Sequence, residues 1–206
     1  GNAINVIRTI KEFEKVGAAG IQIEDQVSPK KCGHFSGKQV IGKNEMVYKI
    51  KAAVDARENE DFVIVARTDA RGDYGIDEAI DRAKAYAEAG ADVTCVEAPR
   101  SIEELQKIVD ELKGIPQMAN MVEGGLTPLL SADELEEMGF KIMICANTAL
   151  RAAIKNIKQA MGILYSQRSH RNIQDLICTW EVRQTLFKLD EVQKLEKKYL
   201  EIEESR

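Results

Sequence analysis

Glu88-Ala89-Gly90-Ala91-Asp92-Val93-Thr94-Cys95-Val96-Glu97 holds a whole structural repeat in miniature. A helical pattern stops at Gly90, an apolar run follows at once, and the run ends on a carboxylate. Glycine just past a helix end takes the left-handed conformation that closes the last turn. A helix-to-strand loop this short is typical of parallel α/β folds. The same signature occurs at Lys15-Val16-Gly17-Ala18-Ala19-Gly20-Ile21 and at Glu137-Met138-Gly139-Phe140-Lys141-Ile142.

Working outward, five apolar runs read as strands: 20–24, 61–66, 92–97, 116–120 and 140–146. Most lack strict alternation, which suits strands covered on both faces of a parallel sheet. Helices are expected over 3–16, 44–57, 76–89, 102–112, 132–138 and 148–165. Asn44 is the expected N-cap of the second. Ser101 with Glu104 reads as a capping box, and Ser131 as a further cap. Residues 172–206 read as one or two helices with an apolar stripe of Trp180, Val182, Leu186, Phe187, Leu189, Val192, Leu195 and Leu200. Such a stripe suits a contact with another subunit. Alternating β and α elements imply right-handed parallel crossovers. The pattern fits either a five-stranded doubly wound sheet or part of a (β/α)₈ barrel, which needs eight strands. The opening helix has no strand before it to cross from, so Gly1 reads as the middle of a larger fold.

The net charge of −5 argues against a nucleic-acid partner, since phosphate binding needs a basic surface. No apolar run is long enough for a membrane span, and the first residues lack the basic and apolar regions of a signal peptide. Cys32, Cys95, Cys145 and Cys178 are widely spaced with no CxxC. That points to free thiols in a reducing, cytoplasmic setting. Cys95 and Cys145 fall inside apolar strands and Cys178 on a helix, so these three read as structural.

In a parallel barrel the reactive groups gather at the C-terminal strand ends. Here those ends carry Glu24-Asp25-Gln26, Arg67-Thr68-Asp69, Glu97, Asn120 with Glu123, and Asn147. Solvated loops alone would explain one or two of these; five in register suggest a polar site. Carboxylates, an arginine and an amide suit an oxygen-liganded cation such as magnesium and an anionic substrate. A G-x-S-x-G elbow and a post-strand G-x-G-x-x-G are both missing, so serine-hydrolase and dinucleotide readings lack support. The longest strand-to-helix loop, 25–43, holds Lys30-Lys31-Cys32-Gly33-His34. A loop of that length is often a functional lid. The positive neighbours of Cys32 favour its thiolate, and Gly33 permits close backbone approach to a ligand. An exposed polar loop with a chance cysteine is the plainer alternative.

Lys31-Cys32-Gly33-His34, preceded by Ile23-Glu24-Asp25-Gln26, resembles the active-site loop of the isocitrate lyase / phosphoenolpyruvate mutase superfamily. Val65-Ala66-Arg67-Thr68-Asp69-Ala70, Val96-Glu97-Ala98-Pro99 and Asn120-Met121-Val122-Glu123-Gly124-Gly125 resemble its following signatures in order. The resemblance runs from Gly1 to about Ser166, and it is similar above all to the 2,3-dimethylmalate and 2-methylisocitrate lyases. It implies a TIM-type barrel represented by its fourth to eighth strands over 1–166. A helical extension over 167–206 would be exchanged between subunits of a homotetramer.

It also implies cleavage of a 2-hydroxy dicarboxylate or tricarboxylate with Mg²⁺, or Mn²⁺. Cys32 would be the acid. Arg67 would bind a substrate carboxylate, and Glu97 would bond the substrate or the metal's outer shell. Glu24 would reach the metal through water. Lys31, Gly33, His34, Asn120 and Glu123 would bind substrate. The family's direct aspartate ligands lie before the part matched here, so this chain alone is not expected to be active. Val122 stands where methylisocitrate lyases place a hydroxyl, which favours a dimethylmalate-like substrate, with methylisocitrate cleavage or oxaloacetate hydrolysis as alternatives. A truncated barrel serving as a scaffold is the non-enzyme alternative.

Overall fold

The computed structural model describes residues 1–203. They form two compact units, Gly1–Ala146 and the segment from Asn147 onward. The first unit opens with α1 (Ala3–Lys15), whose N-cap Asn2 forms a reciprocal capping box with Asn5. It continues through β1 (Gly20–Glu24), α2 (Lys43–Ala56), β2 (Val63–Thr68), the single turn α3 (Arg71–Tyr74), α4 (Ile76–Glu88) and β3 (Val93–Val96). It ends with α5 (Ile102–Glu111), β4 (Met118–Asn120), α6 (Ala132–Met138) and β5 (Ile142–Ile144).

All strand pairs are parallel: β1 with β2, β2 with β3, and β4 with β5. A parallel bridge between Thr94 and Gln117 joins β3 to the entrance of β4. The spatial order is therefore the chain order. A doubly wound sheet must reverse its strand order at a switch point, and no reversal occurs here. Five sequential parallel strands are what an arc of a (β/α) barrel presents.

The packing agrees. Ile64 and Ala66 of β2 lie among residues of α1, α2 and α4: Ile10, Ala53, Met46, Ile50 and Tyr86. Val65, Val93, Cys95 and Met118 pack instead with Val63, Ile142 and Ile144, strand residues alone. One face of the sheet is thus covered by helices and the other by strands only. Fully buried Ile10, Ile50 and Ile64 contribute about 1.5–3 kcal/mol each.

β1 has the expected bounds, β2 runs two residues later than the apolar pattern suggested, and β3, β4 and β5 are shorter. Gly90 has a φ of +105°, and a Cβ there would stand 2.9 Å from Val54 Cγ2, so this helix stop is also a close packing point against α2. Two expected caps are corrected. The helix expected to follow Asn44 starts after Gly42, with no side-chain cap. Ser101 does accept from Glu104 N–H, but the Glu104 carboxylate turns away to Arg71 and to the Arg100 backbone. A guanidinium outcompetes a reciprocal cap because charge-assisted bonds are stronger. Ser131 and Glu134 form the full box. Cys145 lies just past β5 and is exposed, and Cys178 lies between helical segments and is exposed, so neither is the buried structural thiol expected; Cys95 is.

The second unit holds α7 (Thr148–Gln167), a 3₁₀ turn at Gln174–Leu176, α8 (Trp180–Leu186) and α9 (Leu189–Glu203). Leu150, Ile154, Ile157, Met161 and Tyr165 form an exposed apolar stripe on α7. Trp180, Val182, Leu186, Phe187, Val192, Leu195 and Leu200 are exposed in the segments after it.

Candidate active site

Strand alternation builds the site. Side chains at i and i+2 share a face, so the strand-only face of β2 runs Val63, Val65, Arg67. That of β3 runs Val93, Cys95, Glu97, and that of β4 runs Met118, Asn120. Gly20 and Glu24 share the corresponding face of β1. Arg67, Glu97, Asn120 and Glu24 therefore continue one apolar surface into polar chemistry at a single end of the sheet. Just past β3, Ala98 has a φ of +57°, a left-handed conformation unusual for a non-glycine residue. This turn ends β3 directly behind Glu97.

Distances confirm the convergence. Arg67 donates to Asp69 through Nε and Nη2, both at 2.9 Å. Its Nη1 lies 3.4 Å from Glu97 Oε2 and its Nε 3.5 Å from Glu24 Oε2. Asn120 Nδ2 donates to Glu97 Oε1 at 3.0 Å. Burial opposes the Arg67 charge, but the Asp69 bonds and the Glu97 charge hold its pKa above the ordinary arginine value. Burial, and then the Glu97 charge, push the Cys95 thiol up, so it stays a neutral filler beneath the site.

The 25–43 loop covers this cluster. Its ends are pinned: Ile41 N–H donates to the Asp25 carbonyl, Val27 N–H to the Gln39 carbonyl, and Gln26 and Val40 form an antiparallel bridge. Gln26 braces the interior through the Lys31 backbone, in both directions. Gly33 sits directly on the site. A Cβ there would lie 2.5 Å from Arg67 Nη2 and from Glu97 Cγ and Oε1, so any larger residue would have to push these two buried side chains aside. His34 Nδ1 accepts from Leu126 N–H at 3.0 Å, which leaves the proton on Nε2, 3.4 Å from Glu97 Oε1. Lys38, buried in the same loop, donates through Nζ to the Gly33 carbonyl and lies 3.7 Å from Asp69 Oδ1.

Among the described residues, four buried side-chain atoms lack a hydrogen-bond partner: His34 Nε2, Glu97 Oε2, Asn120 Oδ1 and Thr127 Oγ1. Buried polar groups are normally satisfied, and the exceptions ask for a reason. Three of the four belong to this one cluster, and the fourth is the residue after Leu126, which holds the His34 ring.

The structure thus brings together Glu24, Gly33, His34, Arg67, Glu97 and Asn120. Cys32 is exposed on the lid beside Gly33. The Lys31 ammonium is turned to the Gly37 carbonyl at 2.8 Å, on the lid itself. Asn147 belongs to the second unit. Sequence reading passed over Asp69, Lys38 and Thr127 as site residues. Asp69 stood in a quoted motif and could have been found as the partner a buried Arg67 requires; Lys38 and Thr127 carried no signal of their own.

A metal's place can be tested on the residues present. Burial raises the Glu24 carboxyl pKa against the pull of Arg67 and Lys30, the latter 3.4 Å away. Glu24 is flanked by Lys30 at 3.4 Å and Arg67 at 3.5 Å and keeps part of its side chain exposed, which fits an outer role through water rather than direct ligation of a cation. Asp69 is taken by Arg67, and one oxygen of Glu97 by Asn120. Among the described residues no group of three histidines, cysteines or carboxylates could hold a metal directly.

Residues 1–164 match the family model of phosphoenolpyruvate phosphomutase. The chain belongs to that family, within the PEP mutase/isocitrate lyase superfamily. It is 46% identical to the 2,3-dimethylmalate lyase of Eubacterium barkeri, over 97% of this chain and 68% of that protein. It is 47% identical to the 2-methylisocitrate lyase of Aeropyrum pernix, over 87% of this chain and 57% of that protein. A crystal structure of 2,3-dimethylmalate lyase superposes with a TM-score of 0.88 and 36% identity, over 97% of this chain and 66% of that one. The family member described here thus spans 57% to 68% of the length of these proteins. Among its described residues no helix is long and apolar enough to cross a membrane.

Proposed function

We propose that the protein carrying this chain is a carbon–carbon lyase for a 2-hydroxy dicarboxylate of the 2,3-dimethylmalate type. The observation that carries the reading is the seating of Gly33, next to Cys32, against Arg67 and Glu97. A glycine with no room for a Cβ lets the lid backbone reach a bound anion. Arg67, already clamped by Asp69, presents Nη1 toward Glu97 and the site. A guanidinium held this way grips a substrate carboxylate and the oxygen that becomes the carbonyl. Asn120 and the lid peptide at Gly33 and His34 hold the second carboxylate. Glu97 takes a hydrogen bond from Asn120 and turns its other oxygen toward substrate.

In the reaction the substrate hydroxyl gives its proton to water in the site, and the alkoxide collapses to a carbonyl. The adjacent C–C bond breaks, and its electron pair stays on the carbon next to the departing carboxylate. Cys32 S–H delivers a proton to that carbon, and the thiolate is reprotonated from solvent once the lid opens. The products are pyruvate and a simple carboxylate such as propionate. Magnesium, when bound, eases alkoxide formation as a Lewis acid. Glu24 would hold it through water, and its direct ligands are not among the described residues. Val122, apolar beside Asn120, supports a diacid over a triacid, whose third carboxylate would be buried unpaired. The exposed apolar stripes of the second unit support contact with further copies of the chain, and a helix-exchanging homotetramer is the assembly proposed.

A turnover panel on the complete protein with Mg²⁺ tests the reading. Pyruvate and propionate from 2,3-dimethylmalate are expected. Pyruvate with succinate from methylisocitrate, or oxalate with acetate from oxaloacetate, would shift the substrate. No turnover of any of these acids would remove the lyase reading.

A further inference from the structure

Lys38 stands out among the lid residues because its side chain is only 4% exposed. Its nearest loop neighbours Gly37 and Gln39 are exposed. A buried ammonium is costly unless its donors are met. One carboxylate, Asp69 at 3.7 Å, lies beyond hydrogen-bond reach. The group that meets a Lys38 donor is the Gly33 carbonyl. On its far side the Lys38 stem lies against the turn after β2, where a Cβ on Gly72 would stand 3.4 Å from Cε and 3.5 Å from Nζ. The ammonium therefore bonds the tip of the lid, lies 3.7 Å from the carboxylate that clamps Arg67, and faces the Gly72 turn that follows that carboxylate.

This arrangement ties the lid's position to the Arg67 clamp. If the Gly33 tip of the lid lifts, the Lys38 charge loses its hydrogen-bonded partner while it stays beside Asp69. The seated lid is the arrangement that satisfies it. There is a second consequence. A trans peptide holds its C=O and N–H antiparallel. Drawing Gly33 O toward Lys38 therefore turns the His34 N–H the opposite way, away from Lys38. We propose that Lys38 is a positioning residue of this site. It latches the seated lid onto Asp69 and fixes the Gly33–His34 peptide so that its N–H is available to a substrate carboxylate. The second half rests on the lyase reading above, and the latch itself does not.

The plainer account is a lysine that closes a local turn five residues long. That account needs only Gly33. It leaves unexplained why the ammonium is buried against Asp69 and Gly72, which belong to another segment. The two accounts part in experiment. Hydrogen–deuterium exchange is measured on the complete protein and on Lys38→Met, following the peptides that cover 27–40, β2 and α4. The latch predicts faster exchange in the lid by about tenfold or more, with β2 and α4 unchanged. It also predicts a fall in kcat with a rise in KM for the diacid. A lid that exchanges at the parent rate overturns the latch. A loosened lid with parental kcat and KM overturns the orienting role and keeps the latch.

If Lys38→Met does not fold, competitive amine acylation of the unmutated protein decides. Lys38 should react at least about tenfold more slowly than Lys30, and equal rates would overturn the proposal. Should the parent protein cleave none of the acids in the panel, the lyase reading falls, while the exchange data still judge the latch.

Discussion

Two buried carboxylates at the same end of the sheet live opposite lives. Asp25 is fully buried, and all its donors are close. It accepts from Thr68 Oγ1 at 2.8 Å, Tyr86 OH at 2.7 Å, the Asp69 N–H at 2.9 Å and Arg82 Nη1 at 3.2 Å. Arg82 also holds the Ile41 carbonyl, so this hub fastens both ends of the lid to the end of β2. Glu97 is just as buried, yet one of its oxygens has no hydrogen bond, and Arg67 and His34 both stand back at 3.4 Å. A carboxylate saturated by its own chain has nothing left to offer a ligand. One left hungry in the same environment stores a capacity that folding did not use. Asp25 therefore belongs to the scaffold, and Glu97 is the carboxylate proposed for the chemistry.

The comparison can be broken or sharpened by substitution. The largest effect is expected at the lid beside the hungry group. Cys32→Ser should lower turnover by about two to four orders of magnitude while substrate binding persists. Near-parental kcat with the diacid would remove the acid role. On the scaffold side, Asp25→Asn removes the charge that four donors share and turns an amide N–H toward them, although Arg82 keeps Glu78 at 2.8 Å. It should cost about 3–5 kcal/mol in denaturant unfolding; a loss below the error of the fit would deny that Asp25 is a hub. Tyr86→Phe removes one charged hydrogen bond and should cost about 1.5–3 kcal/mol by the same measurement.

The smallest effect concerns Glu24. Burial holds its carboxyl pKa up, so the folded chain binds that proton more tightly than the unfolded chain. Its favourable contribution is present below the unfolded pKa and is lost as pH rises through the folded one. Glu24→Gln should thus raise the thermal midpoint slightly at neutral pH and change little in acid. A drop at neutral pH would contradict the sign.

Much of this was legible in the sequence because it follows from local rules. Gly17, Gly90 and Gly139 stop helices through the backbone freedom of glycine, and each has positive φ. The polar ends of apolar runs gave Glu24, Arg67, Glu97 and Asn120, since period-two alternation carries a strand face directly into its loop. What escaped depends on partners distant in sequence. Asn44 lost the cap to Gly42, and Glu104 was drawn off by Arg71. The Asp25 hub gathers Thr68, Asp69, Arg82 and Tyr86 from two other elements, and a DQ dipeptide after a strand does not announce that. Lys38 is the sharpest case. A lysine in a glycine-bearing loop reads as solvated, and only the fold puts Asp69 and Gly72 around it. Strand order, too, lay beyond the pattern. The alternation of β and α fits a doubly wound sheet as well as a barrel arc until the pairing is seen.

The most direct test of the division between saturated and hungry carboxylates is Glu97→Gln in the complete protein, with unfolding free energy and kcat/KM measured together. Stability within about 1 kcal/mol of the parent, with kcat/KM reduced by about a hundredfold or more, is the predicted result. A variant that loses as much stability as Asp25→Asn and still turns over the diacid would contradict it.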